Sequence, residues 1–381
     1  CRFASKIPLN PIGCGFEVFL RSLDCNPDPR VQKYCDYLYA NNINYRIVCW
    51  DRSCKLKNDH IHSYYQRKSK YGTGLKNAFG ILGFNWYIFC YLLRNKKSYK
   101  VIHACDFDTI LPAIILKLFF GKKVIYDIFD WFVDSRHFNN RLIKTIILTF
   151  ERFFLKHSDI TIICEEERTE QLNYIPHNLW VLPNIPTLFT SLNQNLPNKQ
   201  NMSDKVILSY VGTMPADRGI DKLLECVKNN SSLELNIAGF GIMDKLVKEY
   251  SDCVSNIHYF GTVSYEKGLE IMANSDIIVA LYEKTVLNNV YAAPNKYYEG
   301  LFLGKPILTT EGTLVGNKTE KGRTGFVIGE SLRDLESFFI CFDLQERIDL
   351  CSKNAREMWI DKYSEYVDRF MFSKYIPFII N

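Results

Sequence analysis

Apolar, β-branched runs recur along the first half of the chain near positions 16–23, 45–50, 100–104, 123–127, 159–164 and 179–183. Stretches such as 31–41, 109–120 and 141–157 lie between them and read as helices. This alternation predicts a parallel sheet covered by helices. A polar stretch from Ser191 to Ser203 then breaks the pattern, and strand-like runs resume at 205–212, 233–238, 256–260, 276–281, 306–310 and 325–328. A second sheet of the same kind is expected there, followed by a helical ending over roughly 345–374. The division this implies is a first domain over 1–188, a linker over 189–204, a second domain over 205–355 and a terminal helix over 356–381. No internal repeat or low-complexity tract interrupts the scheme.

Two parallel sheets facing each other place a ligand cleft where strand carboxyl ends and helix amino ends converge. Candidate chemistry is therefore sought on those loops. Pro294 and Asn295 can open a helix whose unpaired backbone N–H groups attract phosphate. Lys296 follows at the helix start, either as a phosphate cation or as an ordinary exposed lysine. Glu299 falls about one turn into that helix, placed to accept ribose hydroxyls, and Gly304 ends the helix before the strand-like Pro306–Thr310. Gly212 closes an earlier strand where a small residue lets backbone approach a ligand, and Arg218 offers a permanent charge for a diphosphate.

In the first half, Asp127 and Asp130 sit on the loop after a buried strand. Asp130, or Asp127 in its place, can orient or deprotonate an acceptor hydroxyl, and both can equally cap the segment that follows. Asp28 and Arg30, after the first strand, either face the acceptor or cap the next helix. Asp106-Phe107-Asp108 superficially matches a metal-binding Asp-x-Asp signature, but Asp108 reads more simply as the N-cap of an apolar helix. With no carboxylate cluster or His/Cys set beside it, no obligatory metal and no cofactor are expected.

The run Pro294-Asn-Lys-Tyr-Tyr-Glu299-Gly-Leu-Phe-Leu-Gly304-Lys-Pro306 resembles the donor-binding helix of GT-B glycosyltransferases, especially family 4. Other segments resemble the same family in the same order: Asn26 to Lys33, Val101 to Asp108, Lys123 to Asp130, Val181 to Asn184, Tyr210 to Met214 with Arg218-Gly219, Ile237 to Gly241 and Asn274 to Ile278. The resemblance implies an α/β GT-B fold of two Rossmann-like domains with a C-terminal helix crossing back to the first. It also implies transfer of a sugar, with retention, from a UDP- or GDP-sugar to a glycan or lipid-linked glycan, as in surface-polysaccharide assembly.

Three departures from the family pattern stand out. Thr213 occupies the first of two basic positions and Arg218 the second; Phe129 stands where a histidine is usual; Tyr291 stands where the first of two glutamates is usual. Backbone amides near Ala292 and Ala293 are the expected substitute for that glutamate. Two other readings stay open: a nucleotide-sugar epimerase of the same fold, and a non-catalytic membrane adaptor. A Rossmann dehydrogenase is disfavoured, because no G-x-G-x-x-G follows the first strand with an acidic residue about 20 positions on.

Charge sharpens the contrast between the halves. Residues 1–185 hold 26 Lys/Arg against 17 Asp/Glu, whereas the remainder holds 21 against 25. Within the basic half, residues 67–97 set Arg67, Lys68, Lys70, Lys76, Arg94, Lys96 and Lys97 around the aromatic run Ala78–Leu93. That run is too short and interrupted to span a bilayer; it reads either as a helix at an anionic membrane surface or as a buried helix with solvated flanks. Nucleic acid is not an expected partner, since no recognised binding motif accompanies the charge. The 13 cysteines form no C-x-x-C pair or metal-like spacing, and no segment reads as a signal peptide. A cytoplasmic location, peripheral to the inner membrane face, is the expectation.

Overall fold

A computed structural model describes residues 16–23, 28–69, 78–135, 140–171, 174–185 and 205–381. The predicted linker, 189–204, lies outside the described residues, as do Asn26, Lys70 and Lys76. The strand-like runs of the first half become β1 (Phe16–Arg21), β2 (Tyr45–Asp51), β4 (Tyr99–Cys105), β5 (Lys123–Ile128), β6 (Ile160–Ile163) and β7 (Leu179–Val181). A further strand, β3 (His62–Gln66), was not expected. Its sequence HSYYQ is short and polar because it forms an edge of the sheet, so no apolar run marks it.

The seven strands lie in the order β3-β2-β1-β4-β5-β6-β7, all parallel. Helix α1 (Pro29–Ala40) follows β1; its N-cap Asp28 accepts from the amides of Arg30 and Val31, and Pro29 pre-sets the first turn. One face of the sheet is covered by α2 (Ala78–Arg94), α3 (Phe107–Phe120) and α4 (Arg141–His157), with Phe84, Ile88, Ile110, Ile114 and Phe154 packed on Val18, Val48, Ile102 and Val124. Helix α3 corrects the expected cap: it begins at Phe107, with Asp106 at the N-cap position at a positive φ of 65° and Asp108 inside the first turn.

The second half repeats the plan with β8 (Val206–Thr213), β9 (Leu233–Phe240), β10 (Ile257–Tyr259), β11 (Ile277–Ala280), β12 (Ile307–Thr310) and β13 (Gly325–Ile328), in the order β10-β9-β8-β11-β12-β13. Its helices are α5 (Ile220–Lys228), α6 (Asp244–Cys253), α7 (Tyr265–Ala273), the single turn α8 (Leu287–Val290), α9 (Asn295–Leu303), α10 (Leu314–Gly322), α11 (Leu332–Phe339) and α12 (Leu344–Met358). These two parallel, helix-covered sheets are the GT-B arrangement.

Beyond α12 the chain runs as short helical segments to Ile380, interrupted by a turn at Ser364–Glu365, and returns to the first sheet. Ala355, Trp359, Tyr363, Val367, Met371, Tyr375 and Ile379 are all buried, at a strict spacing of four. A four-residue step overshoots a 3.6-residue turn by about 40°, so an unbroken α-helix would rotate this stripe out of the core. Two π-type turns, Trp359–Tyr363 and Met371–Tyr375, take up the excess. The stripe joins Tyr34, Leu38 and Ile125 of the first half to Tyr298, Leu301 and Phe302 of the second in one apolar core. Each such fully buried apolar side chain contributes about 1.5–3 kcal/mol.

Candidate functional site

At the carboxyl edge of the second sheet, the ends of β8 and β9 approach too closely for side chains. Gly212 has φ 139° and Gly239 φ 149°, and a Cβ on Gly239 would sit 1.7 Å from the Gly212 carbonyl oxygen. Over this flat ledge lies Lys296, its Nζ 3.6 Å from the centre of the Tyr210 ring. Burial, and then the charge of Arg218, push the Lys296 amine down to about 7. Arg218 stacks on Tyr282 at 4.5 Å and donates to Asp217 and Asn289, whose amide is in turn fixed by Asp217 and the Glu283 carbonyl.

Glu299 is 4% exposed and accepts one hydrogen bond, from the Tyr265 hydroxyl at 2.9 Å. Burial pushes its carboxyl up to about 7 against the opposing pull of Tyr265 and Lys296. Asn295 and Thr213 stand exposed at the rim, and no side chain caps the amino end of α9. Lys296 feels the charges of both Arg218 and Glu299, so these three of the six expected donor residues share one electrostatic neighbourhood. The arrangement joins cations, open amides and the Glu299 carboxylate, the complement of a phosphorylated sugar bearing vicinal hydroxyls, while Asp217 is taken up by Arg218 and Asn289.

The expected residues of the first half divide differently. Asp127 is 0% exposed and is gripped by Arg30 Nε and Nη2 (2.7–3.1 Å), by the Tyr34 hydroxyl and by His103. Although burial alone would raise it, Arg30 and His103 hold this carboxyl well below the usual range. Arg30 is buried too, and its remaining nitrogen binds the Leu182 carbonyl and Asn184. Asp28 caps α1 and accepts from Arg21. In this geometry Asp28, Arg30 and Asp127 fasten the first domain internally.

Asp130 is the carboxylate that faces the cleft. Its side chain is 56% exposed and accepts from Arg168 at 3.1 Å and, across the cleft, from Asn288 at 3.3 Å. Phe129, at the position where a histidine was expected, lies under two guanidinium groups, Arg21 at 4.0 Å and Arg30 at 5.0 Å. Tyr291 reaches the first half, its hydroxyl 3.3 Å from Glu170. The Ala292 amide already donates to the Asn289 carbonyl, and the Ala293 carbonyl accepts from Asn184, so one of the two expected substitute amides is occupied.

Sequence reasoning missed the residues that join the halves. Arg168 binds Asp130 and Asn288 with one nitrogen and the Phe129 carbonyl with another. Glu165, Tyr298 and Lys318 form a second, largely buried link between the sheets, with Lys318 2.7 Å from the Tyr298 hydroxyl. Tyr265, which orients Glu299, was also missed. Neither spacing nor composition marks these residues, because each finds its partner only once two distant segments meet.

No protein-family model matches the chain, and no curated protein matches it in sequence. Solved structures do match in fold. Sucrose-phosphate synthase from Thermosynechococcus elongatus is 15% identical, with a TM-score of 0.69 over 96% of this chain and 99% of that one. WaaG, a glycosyltransferase involved in lipopolysaccharide biosynthesis, is 15% identical, with a TM-score of 0.68 over 93% and 98%. Anabaena Alr3699/HepE in complex with UDP-glucose is 11% identical, with a TM-score of 0.65 over 94% and 99%.

Proposed function

We propose that this chain is a glycosyltransferase that moves a sugar from a UDP- or GDP-sugar to a glycan or lipid-linked glycan acceptor, with retention at the anomeric carbon. The observation that carries the reading is the cluster of Glu299, Lys296 and Arg218 around the Gly212 ledge, three ionisable groups gathered at a sheet edge. Glu299 binds the ribose, Lys296, Arg218 and the open amides at Asn295 hold the diphosphate, and Thr213 lines the approach. Fixed positive charge aimed at the departing diphosphate stabilises the transition state without a metal, so activity is expected to survive chelation.

Asp130, the cleft-facing carboxylate, orients the acceptor hydroxyl or takes its proton. Asp28, Arg30 and Asp127 shape the acceptor side from behind. The acceptor half would span 1–188 and the donor half 205–355, with 356–381 packing back. A lipid-linked acceptor fits the basic first half and places the protein peripherally on the cytoplasmic membrane face; among the described residues no helix is long and apolar enough to cross a membrane. The likeness in fold to a protein complexed with UDP-glucose supports the donor class, and retention follows from the resemblance of the motifs.

The first test is thermal stabilisation by UDP, GDP, ADP and NAD, for the native chain and for Glu299→Ala. Stabilisation by UDP or GDP that vanishes in the variant supports the donor site, while an NAD-only shift sinks it. Incubation with the matching nucleotide-sugar then separates transfer from isomerised donor, which would mark an epimerase, and from binding without turnover, which would mark an adaptor.

A further inference from the structure

The layer formed by α2, α3 and α4 has an unusual outer surface. Of the 24 large hydrophobic side chains exposed among the described residues, 12 lie on these three helices, 48 residues in all. On α2, Phe79, Leu82 and Trp86 are 66–73% exposed at helical spacing, opposite the buried Phe84, Ile88 and Leu92. On α4, Leu142, Ile146 and Phe150 repeat every four residues and are 48–69% exposed. Helix α3 lies between the two and exposes Leu111 near its start and Leu118 and Phe119 near its end. Exposed apolar side chains thus occur on all three helices of the layer, more than the single hydrophobes scattered over an ordinary surface.

Its charge has one sign. The acidic residues of the three helices, Asp108 and Glu151, are both buried, whereas Arg94, Arg141, Lys144, Arg152 and Lys156 are exposed. Asp159, just past α4, is taken by Lys117 at 2.6 Å. The surface helices of the second half differ: α6 and α12 pair exposed charges of both signs, as in Lys245 with Glu249 and Lys353 with Glu357. An apolar face with aromatic residues and a rim of exposed cations complements an anionic lipid surface, where apolar side chains enter the headgroup region and cations meet phosphate. A protein partner or a second copy would be expected to meet some matched acidic positions on this face, and its helices expose none.

We infer that the α2–α3–α4 layer docks on an anionic lipid bilayer, with α4 lying along the interface beside α2. This extends the contact beyond the 67–97 segment and orients the first domain. Helices α2 and α4 each follow a strand and start at its carboxyl edge, so Phe79 and Leu82 on one and Leu142 and Ile146 on the other lie toward the cleft rim. The orientation, which rests on the glycosyl-transfer reading, would present a lipid-linked headgroup to the Asp130 side of the cleft.

The test is co-sedimentation of the full chain with vesicles of phosphatidylcholine alone and of phosphatidylcholine with phosphatidylglycerol. The chain is expected to pellet with the anionic vesicles and be released by salt, and Trp86 emission to move to shorter wavelength on binding. Leu142→Glu, Ile146→Glu and Phe150→Glu together should lower the bound fraction at least tenfold, while Phe342→Glu, fully exposed in the second half, should leave it unchanged. The inference is overturned if the native chain ignores anionic vesicles, if the α4 variant pellets like the native chain, or if the native chain is a dimer that the α4 variant makes monomeric. UDP-induced stabilisation in the α4 variant is an independent readout: its absence in native and variant alike would count against the donor site and leave the docking result standing.

Discussion

The two halves share one architecture and use buried charge in opposite ways. In the first, Glu17, Arg30, His103 and Asp127 are buried and largely bonded to one another, with Tyr375 of the returning helix donating to Glu17 at 2.6 Å. In the second, Lys296 rests on an aromatic ring, and Glu299 has a single hydroxyl partner. A densely bonded network fixes a domain, because removing one member strands another in a medium that cannot solvate it. A sparsely partnered set is poised for a ligand that brings the missing groups. The ionisable residues of a cleft therefore sort by how completely the protein itself satisfies them.

The largest effect should come from breaking the densely bonded side. Arg30→Met leaves Asp127 buried with only the Tyr34 hydroxyl and His103 as partners and is expected to cost about 3–5 kcal/mol in chemical denaturation. UDP should still bind whatever protein remains folded. A comparable loss of stability on Glu299→Ala would erase the distinction between the halves.

Next comes Asp130→Asn, at a half-exposed position. Turnover should fall by about 10²–10⁴ if the carboxylate acts on the acceptor proton, with little change in unfolding midpoint. An unchanged rate would remove Asp130 from the chemistry.

Proton linkage gives a third, smaller test. The folded Glu299 carboxyl, pushed up to about 7, holds its proton more tightly than the unfolded one. Its favourable contribution is complete below the ordinary carboxylate value and is lost as pH rises towards 7, about 3 kcal/mol between the limits. Lys296, pushed down to about 7, has the opposite sign: stability rises as pH climbs from there towards the ordinary lysine value. A bound diphosphate should draw Lys296 back to its charged form, so UDP binding near neutral pH should take up a proton. Calorimetry in buffers of different ionisation enthalpy reads this directly, and Lys296→Met should abolish it.

The smallest effect is expected from Tyr265→Phe, which removes one hydrogen bond to Glu299. A loss of about 1 kcal/mol in UDP affinity, with the fold intact, would show that the tyrosine orients the carboxylate.

The sequence made the repeated alternation of strands and helices legible, because central parallel strands carry apolar runs on both faces. It also made α9 legible, since a helix start, a carboxylate one turn in and a terminal glycine are local signals. It could not distinguish Asp127 from Asp130. They lie three residues apart where one loop was expected, but Asp127 is still inside β5 and Asp130 is beyond it, and only the arrival of Arg30 from α1 and His103 from β4 shows that the first is enclosed. The apolar run over 78–93 forms a helix with one flank packed on the sheet and the other left exposed. Periodicity marks the two flanks but not what covers each.

The returning helix carries a mechanical consequence. Past Tyr363 the chain returns to the first sheet, where the Tyr366 hydroxyl donates to the Val181 carbonyl at 3.0 Å. The buried stripe of this return packs on both halves, as the spine of a book holds both covers. The covers can swing about that line, whereas sliding would strip the stripe from one half or the other, so motion that admits a substrate is steered into opening and closing.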